Sequence, residues 1–157
     1  MVNSPPKLIM MIGLPGSGKS ILAQKLLRQY PDYHLISTDA IRAQLFGDEA
    51  IQGPWPAIWE QIKQQFQQAV TDAADAIYDA TNAQRHHRRE LIQLARESGF
   101  DQIRGIWIQT PVEQCLQRNS SRSRQVPPEI ILKMHRQLID APPGLMDGLD
   151  SLFWLET

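Results

Sequence analysis

Gly13-Leu14-Pro15-Gly16-Ser17-Gly18-Lys19-Ser20 reads GxxxxGKS and stands between an apolar run, Leu8 to Ile12, and a helix-like stretch, Ile21 to Tyr30. A strand, a glycine-rich loop with this spacing and a helix, in that order, make a phosphate-binding loop. Glycines let the backbone bend around phosphate oxygens with no Cβ in the way. Successive N–H groups and the positive end of the following helix then face the anion. The pattern assigns Gly13, Leu14, Pro15, Gly16, Ser17 and Gly18 to the cradle. Lys19 is expected to reach the β- and γ-phosphates, and Ser20 Oγ to ligate Mg²⁺, a hard cation that prefers oxygen.

The remaining sequence supplies a frame for that loop. Leu8 to Ile12 has the unbroken apolar character of a central strand buried on both faces. A helix is expected over Lys19 to Tyr30, with Leu22, Leu26 and Leu27 on one stripe and Pro31 as its stop. Tyr33 to Ile36 reads as the second strand, and Ser37 or Thr38 caps a helix from about Asp39 to Gly47. Gln52 to Pro56 is turn-rich, and a long helix is expected over Ala57 to Asp75, with Trp59, Ile62, Phe66, Val70 and Ala73 as its apolar face. Ala76 to Tyr78 is a short strand, Gln84 to Ser98 a helix ended by Gly99, and Ile103 to Gln109 another strand. Helices follow from Pro111 and from Pro127 to about Ile139. Pro142 to Gly144 is a loop, and Leu152 to Leu155 the last strand. This alternation predicts a three-layer α/β fold with a mainly parallel five-stranded sheet, in a single domain over 1–157.

Bulk properties narrow the function classes. The 157 residues carry a net charge of −1, so no whole-molecule field draws the chain to nucleic acid or membrane. A polyanion site must be local. The one cysteine, Cys115, excludes an internal disulfide and reads as a half-buried helix residue. Met1 to Pro6 looks like a loose leader without the apolar core of a signal peptide, and no apolar stretch reaches bilayer length. A cytoplasmic location is the resulting expectation.

Three constellations join the loop. Asp39 and Arg42 follow the second strand at a spacing that sets them on one helix face. A carboxylate there can hold an alcohol and take its proton during phosphoryl transfer, and the arginine can fork onto the acceptor's own phosphate or carboxylate. Asp79 ends a strand, where P-loop enzymes keep an acidic residue that supports Mg²⁺. Thr81 and Asn82, just after it, either touch phosphates and acceptor or cap the next helix. Arg118, Arg122 and Arg124 lie in a stretch without acids, as arginines of a helical lid over about 116–136 would. Arg85-His86-His87-Arg88-Arg89 opens a helix, where positive charge opposes the macrodipole. It reads as a solvated face, with a polyanion contact as the alternative. The histidines His34, His86, His87 and His135 show no metal-ligand spacing.

Together these segments resemble the kinase domain of the phage-type polynucleotide 5′-hydroxyl kinases and the broader set of small P-loop (AAA-33-like) kinases. The matching residues are Gly13 to Ser20, Ser37-Thr-Asp39-Ala-Ile-Arg42, Asp79-Ala-Thr-Asn82, and Arg118-Asn-Ser-Ser-Arg122 with Val126-Pro127 after them. The resemblance implies Lys19 and Ser20 on the triphosphate and Mg²⁺, Asp39 as general base, Arg42 on the acceptor's phosphate and Arg122 as the lid arginine on the donor phosphates. It also likens Pro142 to Asp150 to the loop that borders adenine. The phage-type enzymes carry a phosphatase domain after the kinase domain, which these residues do not match, and the same scaffold serves small-molecule acceptors. The expectation is an ATP- and Mg²⁺-dependent kinase acting on a hydroxyl, first among acceptors the 5′-hydroxyl of a polynucleotide. The alternatives are a sugar, nucleoside or metabolite kinase, and a nucleotide-binding module that phosphorylates no alcohol.

Overall fold

The computed structural model describes residues 4–49 and 53–157. The first three residues of the expected leader and Gln52 of the expected turn lie outside them. Five strands form one sheet: β1 (Lys7–Ile12), β2 (His34–Ser37), β3 (Ala76–Asp79), β4 (Gln102–Gln109) and β5 (Ser151–Glu156), in the spatial order β2-β3-β1-β4-β5. All four pairings are parallel, which sharpens the expected mainly parallel sheet. The helices are α1 (Lys19–Gln29), α2 (Thr38–Phe46), α3 (Trp55–Thr71), α4 (Arg85–Ser98), α5 (Val112–Ser120) and α6 (Pro128–Asp140), with a 3₁₀ turn at Leu145–Asp147.

β1 is central because its run from Leu8 to Ile12 has nothing polar to expose. Leu8, Met10, Met11 and Ile12 are fully buried. Successive side chains point to opposite faces, and each face has its own helix layer. Met11, Ile77 and Ile108 meet Ala23, Leu22, Leu26 and Leu27 of α1. Leu8, Met10 and Ile12 belong to the larger cluster, with Ile58, Ile62 and Phe66 of α3 and Leu91 and Ala95 of α4. The sheet is therefore sandwiched, as the alternation of elements predicts.

Most boundaries fall within two residues of expectation, and α3 is the exception. It starts two residues early because Pro56 occupies its first turn, where a missing N–H costs nothing. It ends at Thr71 rather than Asp75, because Ala73 turns into the left-handed region at φ 53°. Its buried stripe is Ile58, Ile62, Phe66 and Ala69. Trp59 and Val70 flank that stripe, partly buried. Among the described residues no helix is long and apolar enough to cross a membrane.

Chain order fixes where a site can form. β1 is flanked by β3 on one side and β4 on the other, and the chain visits β2 and β3 before it crosses to β4 and β5. In open parallel sheets the crevice beyond the strands' carboxyl ends, where the winding reverses, is where ligands bind.

Candidate active site

The glycine loop leaves β1 at this crevice. Gly13 N–H donates to the carbonyl of Thr81 at 3.1 Å, and Ser17 N–H closes a turn on Leu14 at 3.0 Å. Gly16 has φ 82°, and a Cβ there would stand 2.8 Å from the carbonyl oxygen of Cys115, so both conformation and space demand glycine. Gly18, at φ 103°, precedes α1 and turns the chain into its first helical turn. The amides of that turn are the unsatisfied donors of a helix N-terminus.

Lys19 is buried, and its Nζ donates to Leu14 O at 3.1 Å, so the loop curls over its own lysine. Burial pushes the Lys19 pKa down, while the carboxylates of Asp79 and Asp39 pull the other way. A desolvated cation beside the unsatisfied amides of the loop and the first helical turn is primed for an anion. Ser20 Oγ donates to Asp79 Oδ2 at 2.9 Å. Register explains this pair. β3 runs beside β1 with Met10 opposite Tyr78, so Asp79 exits next to the start of the loop.

Ser37 lies opposite Asp79 across the β2–β3 pairing. Its Oγ accepts the N–H of Ala40 at 3.3 Å and so caps α2, which settles the choice left open between Ser37 and Thr38. Asp39 then falls in the first turn, beside the crevice. Arg42 Nη1 donates to Asp39 Oδ1 at 3.1 Å. The Asp39 side chain is 59% exposed and that of Arg42 only 17%, so the acid faces the opening and the base lies behind it. Arg42 Nε is buried with no partner among the described residues.

Across the crevice stand α5 and α6. Buried Asn119 clamps the loop between them, donating to Val126 O at 2.7 Å and accepting Val126 N–H at 2.9 Å. Arg118 Nη1 donates to Gly16 O at 3.1 Å, and Arg122 lines the same cleft. Arg124 reaches over to the far rim, where it pairs with Glu49 and, at 3.6 Å, with Asp48. The acids missing from this stretch of sequence are thus supplied from beyond α2.

These groups share one cleft of about 1230 Å³, lined by Lys19, Ser20, Asp39, Arg42, Asp79, Thr81, Asn82, Arg118 and Arg122 among others. Pockets for a single small molecule hold roughly 300–1000 Å³, so this one has room for a nucleotide and a second substrate.

Several expectations need correction. Asn82 caps nothing: α4 begins after Gln84, without a side-chain cap. Asn82 instead sits at φ 53°, a left-handed conformation asparagine tolerates, and its amide donates to Met11 O at 2.6 Å. Thr81 and Asn82 therefore brace the exit of β1. Cys115 is fully rather than half buried, under the glycine loop, and burial pushes its thiol pKa up, away from nucleophilic character. No residue from Pro142 to Asp150, the stretch likened to an adenine-bordering loop, lines this cleft.

The basic cluster of α4 is neither a plain solvated face nor a free polyanion contact. Arg88 is fully buried, with Nε on Asp147 Oδ2 at 2.8 Å and further bonds to the carbonyls of Asn82, Ala83 and Ala141. Arg85 also bonds Asp147, at 3.2 Å. Charge opposing the macrodipole is tolerated because a buried carboxylate 59 residues away meets it. Sequence reading missed Arg88, Asp147 and the cleft-lining aromatics Trp55 and His87. Arg88 stands in a run of like charges, and nothing in one sequence pairs it with Asp147.

A family model described as an AAA domain matches residues 8–141. No curated protein matches the chain. Among solved structures, a chain of the Pnkp1/Rnl/Hen1 RNA repair complex superposes with a TM-score of 0.78 at 23% identity, over 88% of this chain and 46% of that one. This chain therefore spans less than half the length of that relative. A gluconokinase from Sinorhizobium meliloti 1021 gives a TM-score of 0.62 at 16% identity, over 96% and 82% of the two chains. The APS kinase CysC of Mycobacterium tuberculosis gives 0.56 at 20% identity, over 74% and 70%. At such identities the likeness establishes a shared fold, the P-loop kinase-like α/β sandwich.

Proposed function

The chain belongs to the AAA domain family, and on that premise we propose that it is an ATP-dependent kinase that moves the γ-phosphoryl group to a hydroxyl, with the 5′-hydroxyl of a polynucleotide as acceptor. One observation carries the reading: the Asp39–Arg42 pair opens into the same cleft as Lys19 and the Ser20–Asp79 pair. A P-loop that only bound nucleotide would have no use for a half-exposed carboxylate across from it.

In this reading the loop amides and Lys19 hold the β- and γ-phosphates. Ser20 Oγ and the Asp79 carboxylate, 2.9 Å apart, are two hard oxygen donors that fit Mg²⁺. An ion held by them would supply positive charge against the phosphates. Asp39 accepts the proton of the acceptor hydroxyl. The acceptor oxygen forms its bond to the γ-phosphorus as the bond to the β,γ-bridging oxygen breaks, and ADP leaves. Arg122, with Arg118 behind it, stabilises the charge spread over the transferring group. Arg42 holds Asp39 and turns its remaining donors to the acceptor's phosphate. The helical segment over about 116–136 acts as the lid that excludes water.

A small-molecule acceptor is the second reading, favoured by the near-neutral net charge of −1. Transfer of labelled γ-phosphate to 5′-hydroxyl oligonucleotides, nucleosides and sugars, each with and without Mg²⁺, tests both. Label on the oligonucleotide that falls steeply with salt supports the polynucleotide. Label on sugars alone favours the second reading, and no label on any alcohol overturns the kinase assignment.

A further inference from the structure

We propose that the stacked pair Trp55–His87 is a binding platform for a planar ring, so that the acceptor hydroxyl arrives attached to a nucleobase. The inference rests on the kinase reading above and deepens it, by naming the wall that recognises the acceptor.

Trp55 is the first residue of α3, and His87 lies in the first turn of α4. Their rings are 5.6 Å apart at an interplanar angle of 10°. Trp59, one turn further along α3, stands 6.1 Å from Trp55 at 46°. All three line the cleft that holds Asp39 and Arg42. His87 is exposed, and Trp55, though it packs against the core, is only partly buried, so part of this aromatic surface stays open to the cleft.

Topology puts the pair on the acceptor half. α2 and α3 follow β2, and the first turn of α4 follows β3, on one side of β1, whereas α5 and α6 follow β4 on the other. The donor arginines Arg118 and Arg122 belong to that second side. The chemistry of the wall also matters. A polyhydroxylated acceptor is recognised through many hydrogen bonds, and this wall offers aromatic faces. Stacking on such faces tolerates any base, because every base has a π-face. Arg42, whose Nε has no partner among the described residues, lines the same cleft. The same surface fits the terminal base of a polynucleotide or a free nucleoside.

The test uses the full chain and the variants Trp55→Ala, Trp55→Phe and His87→Ala. Its acceptors are a 5′-hydroxyl oligonucleotide, adenosine and gluconate. Loss of one stacking partner is expected to raise KM for the oligonucleotide about 5- to 150-fold. KM for ATP should hold, and Trp55→Phe should recover most of the loss. His87→Ala should act in the same direction, and its exposed position keeps the test independent of whether Trp55→Ala folds. A larger effect with adenosine than with the oligonucleotide would identify the free nucleoside as source, and the reverse the polynucleotide end. Tryptophan fluorescence separates this inference from the kinase reading. Oligonucleotide or adenosine added without ATP should quench the wild-type signal, and Trp55→Phe should lose that part of the quench. Quenching without transfer to any acceptor sinks the kinase reading and keeps the platform. Unchanged KM in both Trp55→Ala and His87→Ala, or transfer to gluconate with no quench by either nucleoside probe, overturns the platform.

Discussion

Ser20 Oγ donates to Asp79 Oδ2 across 2.9 Å, tying the first turn of α1 to the end of β3. The two residues are 59 positions apart in sequence and meet because β1 and β3 are paired neighbours. Asp79→Asn should keep the pair hydrogen-bonded and lose the negative charge. The Mg²⁺ concentration giving half-maximal phosphoryl transfer should rise about 10- to 100-fold, read from a metal titration at saturating ATP. An unchanged midpoint would remove Asp79 from the metal's surroundings.

Asp39→Asn should separate chemistry from binding. The substituted amide can still accept from Arg42 and cannot take a proton, so kcat should fall by roughly 10²–10⁴. ATP affinity, measured by calorimetry, should stay within about twofold of wild type if Asp39 meets only the acceptor. Lys19→Ala should lose both affinity and transfer. A fully active Asp39→Asn variant would show that another group takes the proton.

The lowered pKa of Lys19 has a consequence for stability. Its ordinary value is 10.5, and burial, the largest cause, depresses it in the folded chain. Between the depressed value and 10.5 the unfolded chain binds the extra proton, so folding gains stability as pH rises through that window and loses it as pH falls. Lys19→Met removes the ionising group. In nucleotide-free protein the wild type should gain on this variant, by urea midpoint, as pH climbs toward 10. A constant difference across the range would contradict the burial penalty.

Arg88 and Asp147 are both fully buried at the side chain. Asp147→Ala strands the buried Arg88 guanidinium and should cost about 3–5 kcal/mol in urea unfolding, whereas Arg88→Ala leaves Asp147 its bond from Arg85 and should cost less. Substituting both together should cost less than the sum of the single changes. Additive losses would mean that the two charges are solvated independently.

Asn119→Ala should free the loop that carries Arg122 and Arg124 by deleting both bonds to Val126. Two lost hydrogen bonds to a buried side chain should lower stability by about 1–3 kcal/mol, and KM for ATP should rise because Arg122 is no longer held over the cleft. Rescue by Asp, which can accept from Val126 N–H but not donate to its carbonyl, should be partial. An Asn119→Ala enzyme with native KM would show that the loop orders itself without the clamp.

Local features were legible in the sequence in proportion to how local their causes are. The glycine loop, the apolar β1 and the cap at the head of α2 each follow from a few adjacent residues. So do the positions of Lys19, Ser20 and Asp39 in the cleft, which depend on the end of the strand they follow. α3 was misjudged because Pro56 and the left-handed Ala73 set its limits against a periodicity that runs on past it. The cap considered for Asn82 fails because its amide turns instead to Met11 O, on a strand 71 residues earlier. Arg88 looked like one of several surface cations, and only the packed chain brings Asp147 beneath it. The pairing of Trp55 with His87 likewise depends on how α3 lies against α4, which no local pattern encodes.

Arg88 and His87 are consecutive residues of α4, one anchored in the interior to Asp147, the other stacked on Trp55 at the cleft. The bearing of the aromatic wall is consequently set from behind, by a tether to the chain's last quarter. Sequence drift around Asp147 would thus reach that wall through Arg88, without touching a single cleft residue.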